Sequence, residues 1–374
     1  MSADRLLRSD IREMEPYSPI VPFEILSRRL GRSPDDIVKL DANENPYGPP
    51  PAALAAISGG KFFHIYPDPE ANELREAVSR YTGVSKELLL AGMGADELID
   101  LVLRAIITPG DAVIDCPPSF GMYPFSTAVN GGEYVGVPRF SDFSLDLESI
   151  DSVISTTPRA KVLFICSPNN PDGSVIDDAT LQRLLNLPVL VVLDEAYIDF
   201  AEADGIDSRL SWVERNENLV VLRTFSKLAG LAGLRVGYGA FPDWLRPHLW
   251  KIKQPYNVNV AASVAAIAAL TEKDWLLDKV GRLVAEREHI ARELASFDFL
   301  RPYPSHSNFV LFQVVGRTAY ALKRSLEAEG VLVRYFDKPG LANCIRVSAG
   351  RPEDTNRLIH ALRKIESEEN GANG

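Results

Sequence analysis

The sequence predicts an α/β protein with a mostly parallel central sheet. Short apolar, β-branched runs alternate with longer segments of helical periodicity. One run, VLVVL at Val189–Leu193, is apolar throughout, as a strand covered on both faces is. The runs also end in clusters of glycine, proline, asparagine or charged residues. In open α/β sheets, ligands gather beyond the carboxyl ends of the strands, so the residues just past each run are the informative ones.

Leu88–Ala91 leads into Gly92-Met93-Gly94-Ala95-Asp96-Glu97, and then a helical pattern with Leu98, Leu101, Val102 and Ala105 on one face. Glycines ahead of a helix start let backbone N–H groups close around an anion; the same residues also suit a plain tight turn. Ala112–Ile114 runs into Asp115-Cys116-Pro117-Pro118-Ser119-Phe120, where the prolines stop the strand. Phe120 suits either core packing or a ring laid over a planar ligand. Lys161–Cys166 ends in SPNNPDG, Ser167–Gly173, denser in turn formers than a turn requires. Asn169 and Asn170, set between prolines, offer fixed amide donors.

Asp194 follows the run Val189–Leu193 directly, with Tyr197 three residues on. A carboxylate there is at least partly buried and wants a cation; a helix cap is the other reading. Leu219–Leu222 ends in Arg223-Thr224-Phe225-Ser226-Lys227, and Lys227 and Arg235 bracket a stretch of leucine, alanine and glycine only. Apolar surroundings lower a lysine's pKa and free its amine as a nucleophile. An arginine stays charged in the same place and needs an anion.

Composition narrows the classes. The 374 residues correspond to two or three domains of about 150 residues each. Apolar (46%) and charged (24%) fractions are those of a globular chain, which excludes disorder and coiled coil. With 40 basic against 51 acidic residues the net charge is −11, so no basic field invites nucleic acid. Cys116, Cys166 and Cys344 form no CxxC or zinc spacing, and the five histidines form no HExxH. No metal site is expected, and the cysteine usage suits a reducing compartment. Residues 1–16 lack the apolar core of a signal peptide, and the run Val260–Leu270 is too short to span a bilayer, which takes about 20 residues. A cytoplasmic protein without membrane contact is expected.

One ligand would use all of the strand ends: flat, with a phosphate, a ring nitrogen that can be protonated, and an aldehyde. Pyridoxal 5′-phosphate has these parts. At this point a resemblance is plain. The chain resembles the fold-type I pyridoxal-phosphate-dependent aminotransferases of class I/II, and within them the histidinol-phosphate aminotransferases of plant and cyanobacterial type. The likeness is carried by LDANENPYGPP (40–50), YPDPEANELR (66–75), GADELIDL (94–101), CPPSFGMY (116–123), SPNNPDG (167–173), LDEAYIDF (193–200), TFSKLAGLAGLRVGYG (224–239), KQPYNV (253–258), SNFVL (307–311) and IRVSAG (345–350). Their joint order covers nearly the whole chain.

The resemblance implies roles. Lys227 would form the Schiff base with the cofactor and act as acid and base. Asp194 would pair with the ring nitrogen, and Tyr197 and Asn170 with the ring's phenolic oxygen. Phe120 would stack on the ring, where many relatives have tyrosine. The amides of Ala95 and Asp96, with Ser226, Arg235 and Thr224, would hold the cofactor phosphate. Tyr66 would reach the site of the neighbouring subunit in a homodimer. Tyr17, Arg334 and Arg346 would bind the substrate, the arginines gripping a phosphate. Asp172 stands where threonine is commoner, with little effect expected on the cofactor.

The implied architecture is a large cofactor-binding domain over 40–255, with a mostly parallel sheet flanked by helices. A smaller α/β domain would span 256–374, joined by an N-terminal arm over 1–39. The implied reaction moves an amino group between L-histidinol phosphate and 2-oxoglutarate, a step of histidine biosynthesis. An aromatic amino acid aminotransferase and a decarboxylase of the threonine-phosphate type are the alternatives.

Overall fold

A computed structural model describes residues 3–14 and 23–372. Among the described residues, twelve strands form two sheets. The strands are β1 (Val38–Leu40), β2 (Leu89–Gly92), β3 (Ala112–Asp115), β4 (Glu133–Gly136), β5 (Ala160–Cys166) and β6 (Leu190–Asp194). They continue with β7 (Leu219–Thr224), β8 (Gly237–Ala240), β9 (Leu300–Pro302), β10 (Phe309–Val314), β11 (Val331–Tyr335) and β12 (Cys344–Ser348). The larger sheet has the order β2-β8-β7-β6-β5-β3-β4. Only β8 runs against its neighbours; the other pairings are parallel.

Alternation along these strands feeds two cores. Leu163, Ile165, Val191, Leu193, Leu219 and Val221 join one, while Val162, Phe164, Leu190, Val192, Val220 and Leu222 join the other. Both faces are therefore covered, and full burial of each such side chain contributes about 1.5–3 kcal/mol. The helix Ala95–Ile106 seals one face with Leu98, Ile99, Leu101, Val102 and Leu103. β4 and β8 were not expected from the sequence. β8 reads GYGA, where bulk is excluded: a Cβ at Gly237 would lie 2.8 Å from the backbone nitrogen of Ala95 and 2.9 Å from the Arg223 carbonyl oxygen.

The smaller sheet has the order β1-β11-β12-β10-β9, with β1 parallel to β11 and the rest antiparallel. Val38 and Leu40 enter its core with Val310, Phe312, Val331, Val333, Ile345 and Val347. The helix Lys273–Leu294 ties the two units together. Its Leu276, Val280 and Leu283 belong to the larger unit's core, and its Ile290 and Leu294 to the smaller. The preceding helix Val260–Thr271 buries Ala262, Ala265, Ala266 and Ala269 in the larger core, against the helices Pro51–Ser58 and Asn72–Thr82. We therefore propose the domain division inside the helix Lys273–Leu294 rather than at residue 255.

Candidate active site

The carboxyl ends of β5, β6 and β7 stand side by side, with Cys166 opposite Asp194 and Asp194 opposite Leu222. Beyond them opens a cavity of about 230 Å³. Ala95, Asp96, Phe120, Asn170, Asp194, Tyr197, Thr224, Ser226, Lys227 and Arg235 all line it. It adjoins a cavity of about 520 Å³ that shares Phe120, Asn170, Tyr197 and Lys227 and adds Arg334 and Arg346. A larger cavity, about 810 Å³, opens elsewhere between Arg139, Ser174, Asp177 and Arg209 and holds none of these groups.

Asp194 is 3% exposed. Its Oδ2 accepts from the Tyr123 hydroxyl at 2.8 Å and its Oδ1 from the Ala196 amide at 3.0 Å. Among the described residues no lysine, arginine or histidine pairs with it. Burial pushes its carboxyl up to about 6. The cation expected from the sequence is thus not supplied by any described residue. Tyr123 is itself fully buried and stacks on Phe164 with centroids 4.6 Å apart.

The Lys227 amine lies 5.7 Å from the Tyr197 ring centroid and donates to the Ala42 carbonyl at 3.2 Å. Burial, helped by the nearby Arg346 charge, lowers it to about 8. What exposure the side chain retains faces the cavities it lines. The short helix that carries it, Phe225–Leu228, is capped by Thr224, whose Oγ1 accepts from the Ser226 amide at 3.1 Å. Asn45 Nδ2 donates to the carbonyls of Lys227 and Leu228 at 3.2 and 3.1 Å, which holds that turn from the far side.

Arg235 Nη2 meets Asp96 Oδ2 at 2.9 Å above the N-terminus of the helix Ala95–Ile106. Gly94, at φ 81°, leaves room for that guanidinium, since a Cβ there would lie 2.7 Å from Nη2. Ala95 and Asp96 in the first turn of that helix, with Thr224, Ser226 and Arg235, line the cavity where the helix begins. This end suits a phosphate.

Arg346 Nη1 donates to Asn170 Oδ1 at 2.5 Å, and Nη2 to the Asp41 carbonyl at 2.8 Å. Arg334 is the direct cross-strand partner of Arg346 between β11 and β12. Tyr66 does not line the cavity; it is 80% exposed and stacks on Tyr256 with centroids 4.8 Å apart. Tyr17 lies outside the described residues. Asp172 is buried and bonds Asn169 Nδ2 and the Ser174 amide, so it braces the asparagine loop rather than facing the cavity.

Sequence reading assigned no role to Tyr123, Asn43 or Asn45. All three lie in motifs that carry the resemblance, and polar side chains beside a buried strand were the only signal that could have found them. Among the described residues there is no cluster of three or more His, Cys, Asp or Glu that could hold a metal, and no helix long and apolar enough to cross a membrane.

A buried carboxylate without a cation, an amine made nucleophilic by burial, and an anion cradle fit pyridoxal 5′-phosphate. Fold and cavity together define a pyridoxal-phosphate enzyme of fold type I. The sequence profile described as "Aminotransferase class I and II" matches residues 35–362. The chloroplastic histidinol-phosphate aminotransferase of Nicotiana tabacum is 52% identical over 364 residues, 97% of this chain and 87% of the relative. The histidinol-phosphate aminotransferase of Roseiflexus castenholzii is 48% identical over 368 residues, 96% of this chain and 98% of the relative. The crystal structure of histidinol-phosphate aminotransferase from Sinorhizobium meliloti in complex with pyridoxal-5′-phosphate superposes with a TM-score of 0.87 at 30% identity, covering 96% of this chain and 97% of that one. The chain belongs to the aminotransferase class I and II family. It is an enzyme that transfers amino groups, and its cofactor is pyridoxal 5′-phosphate.

Proposed function

We propose that the chain transfers an amino group between L-histidinol phosphate and 2-oxoglutarate, giving imidazole-acetol phosphate and glutamate in histidine biosynthesis. One observation carries the choice of donor. Arg334 and Arg346 face each other across an antiparallel pair and line the cavity that reaches Lys227. Like charges directly opposite are destabilising unless an anion lies between them. A phosphate dianion satisfies both, and two forks of donors suit it. The relatives from Nicotiana tabacum and Roseiflexus castenholzii are named histidinol-phosphate aminotransferases, which supports this donor.

When bound, the cofactor supplies an aldehyde that takes up an amino group and a cationic ring that withdraws electrons from the neighbouring carbon. Lys227 would hold it covalently and would carry the proton to and from that carbon. With its pKa lowered to about 8, about one amine in ten is neutral at pH 7. Asp194 would keep the ring nitrogen protonated, and a cation held there would draw the carboxyl back down. Tyr197 and Asn170 would bond the ring oxygen. The amides of Ala95 and Asp96, with Thr224, Ser226 and Arg235, would bind the phosphate. Phe120 would cover the ring. Arg334, Arg346 and Tyr17 orient the donor.

The working unit is a homodimer in which Tyr66 reaches the neighbouring site. Exposed Phe62, Phe63, Ile65 and Met93 accompany Tyr66 and support such a contact. Cytoplasmic placement is supported by three buried, unpaired cysteines.

The test supplies the cofactor-loaded protein with 2-oxoglutarate and either histidinol phosphate or phenylalanine. Glutamate forms without carbon dioxide, and faster from the phosphorylated donor. A phenylalanine rate equal to or above it overturns the donor assignment; released carbon dioxide overturns transfer itself.

A further inference from the structure

We propose that Asn43, locked by Ser348, is a positioning residue that sets the direction of the Tyr197 hydroxyl proton. The hydrogen-bond chain starts at a backbone N–H, which can only donate. Asn43 N donates to Ser348 Oγ at 2.9 Å. The serine hydroxyl, accepting there, turns its own proton to Asn43 Oδ1 at 2.8 Å. That settles the amide: its oxygen faces Ser348, and its Nδ2 donates to the Tyr197 hydroxyl at 3.1 Å.

A tyrosine hydroxyl carries one proton. With a donor already on its oxygen, Tyr197 directs that proton away from Asn43, into the cavity it lines with Lys227. The Tyr197 ring is held edge-on against Phe309, with centroids 5.1 Å apart. Asn43 sits at φ 55°, a left-handed conformation that asparagine tolerates better than most residues. Its carbonyl accepts from Asn308 Nδ2 at 3.0 Å. Asn43, Asn308 and Ser348 are all buried, so water does not compete for these bonds. Ser348 lies on β12 with Arg346. The strand that bears a substrate arginine therefore also sets a proton beside the cofactor.

The inference rests on the reading of Tyr197 as the partner of the cofactor's ring oxygen. A proton donated there stabilises that oxygen as an anion. It thereby lowers the pH at which the Lys227 linkage loses its own proton.

The test is a pH titration of the visible absorption of the cofactor-loaded protein, read without substrate. Tyr197→Phe raises the midpoint by about one unit. Asn43→Asp presents an acceptor where Tyr197 now meets a donor, draws the proton back, and raises the midpoint comparably. Its charge also acts through space, so a double-mutant cycle decides. In the Tyr197→Phe background, Asn43→Asp shifts the midpoint by less than about half its effect alone. Ser348→Ala, neutral and of similar size, releases the amide and moves the midpoint the same way. The other charges acting on Lys227, from Arg346, Glu44, Asp96 and Lys39, are common to all variants, as is Asp194.

An Asn43→Asp shift of equal size in both backgrounds, or a Ser348→Ala protein that titrates like the parent, overturns the proposal and leaves the Tyr197 reading standing. A Tyr197→Phe protein that titrates like the parent overturns both.

Discussion

Replacing Asp194 with asparagine is expected to stabilise the cofactor-free protein at neutral pH while weakening its hold on the cofactor. The carboxyl is 3% exposed and, among the described residues, bonded by Tyr123 and the Ala196 amide. Burial lifts it from 3.8 to about 6, so the folded state binds its proton more tightly than the unfolded chain does. Below about pH 4 both states are protonated and burial costs little. As pH rises through 6 the folded state must carry a buried anion. A shift of about two units corresponds to about 3 kcal/mol lost by pH 7. Asparagine has no charge to bury, and its oxygen can still accept from the Ala196 amide. Urea unfolding of the two apoproteins from about pH 4 to about pH 8 is expected to show the variant ahead by up to about 3 kcal/mol at neutral pH, the gap closing on acidification. Cofactor titration of the same samples is expected to show weaker binding by the variant. A gap independent of pH, or a variant less stable at pH 7, would falsify the account of Asp194 as a carboxylate waiting for a cation.

Arg334→Ala is expected to lower kcat/KM for histidinol phosphate about 10- to 150-fold, from the loss of about 1.5–3 kcal/mol of charge-assisted bonding. Phenylalanine should change little, and equal losses for both donors would defeat the phosphate assignment. Gly237→Ala sets a methyl 2.8 Å from the Ala95 nitrogen and 2.9 Å from the Arg223 carbonyl oxygen. It should cost about 1–3 kcal/mol in thermal unfolding and weaken cofactor binding, and a variant unchanged in both would contradict the cradle. Capture of the cofactor by the apoprotein needs a neutral Lys227, so its rate should rise with pH and level off above about 8. Levelling only at the pH of an ordinary lysine would refute the lowered pKa.

Five strands of the larger sheet were legible because each is a dense apolar run, and doubly covered strands leave that mark. β8 left none. Gly237 and Gly239 are small because the Ala95 nitrogen, Leu222 and Phe241 lie within 3 Å of where a Cβ would stand. There a packing demand overrides β-propensity. β4, with Glu133 and Tyr134 exposed at the sheet edge, lacks the burial that would impose a pattern. The alanine-rich run 260–270 was visible as apolar, yet its membership of the larger core depends on helices that begin at Pro51 and Asn72. For the cavity, chemistry placed immediately after a strand was readable: Asp194, Lys227 and Asn170. Supports from distant segments were not. Tyr123 meets Asp194 across 71 residues, and Asn43 meets Ser348 across 305.

The two kinds of residue differ in energetic sign. Supports such as Tyr123, Asn43 and Asn45 have their bonds made within the protein, and they lower the free energy of the fold whether or not a ligand is present. The groups they hold do not. Among the described residues Asp194 is a buried acid without a cation, Lys227 a half-buried amine beside Arg346, and Arg334 a cation set against another. Each raises the free energy of the empty fold, and each is relieved by one part of a cofactor or donor. Ligand binding then stabilises the protein by mass action, and relief of these costs is part of the binding free energy that does so. A site built this way concentrates its unmet electrostatic needs where ligands supply the missing charge. The same needs, read one residue at a time at the ends of strands, are what made the chemistry visible in the sequence.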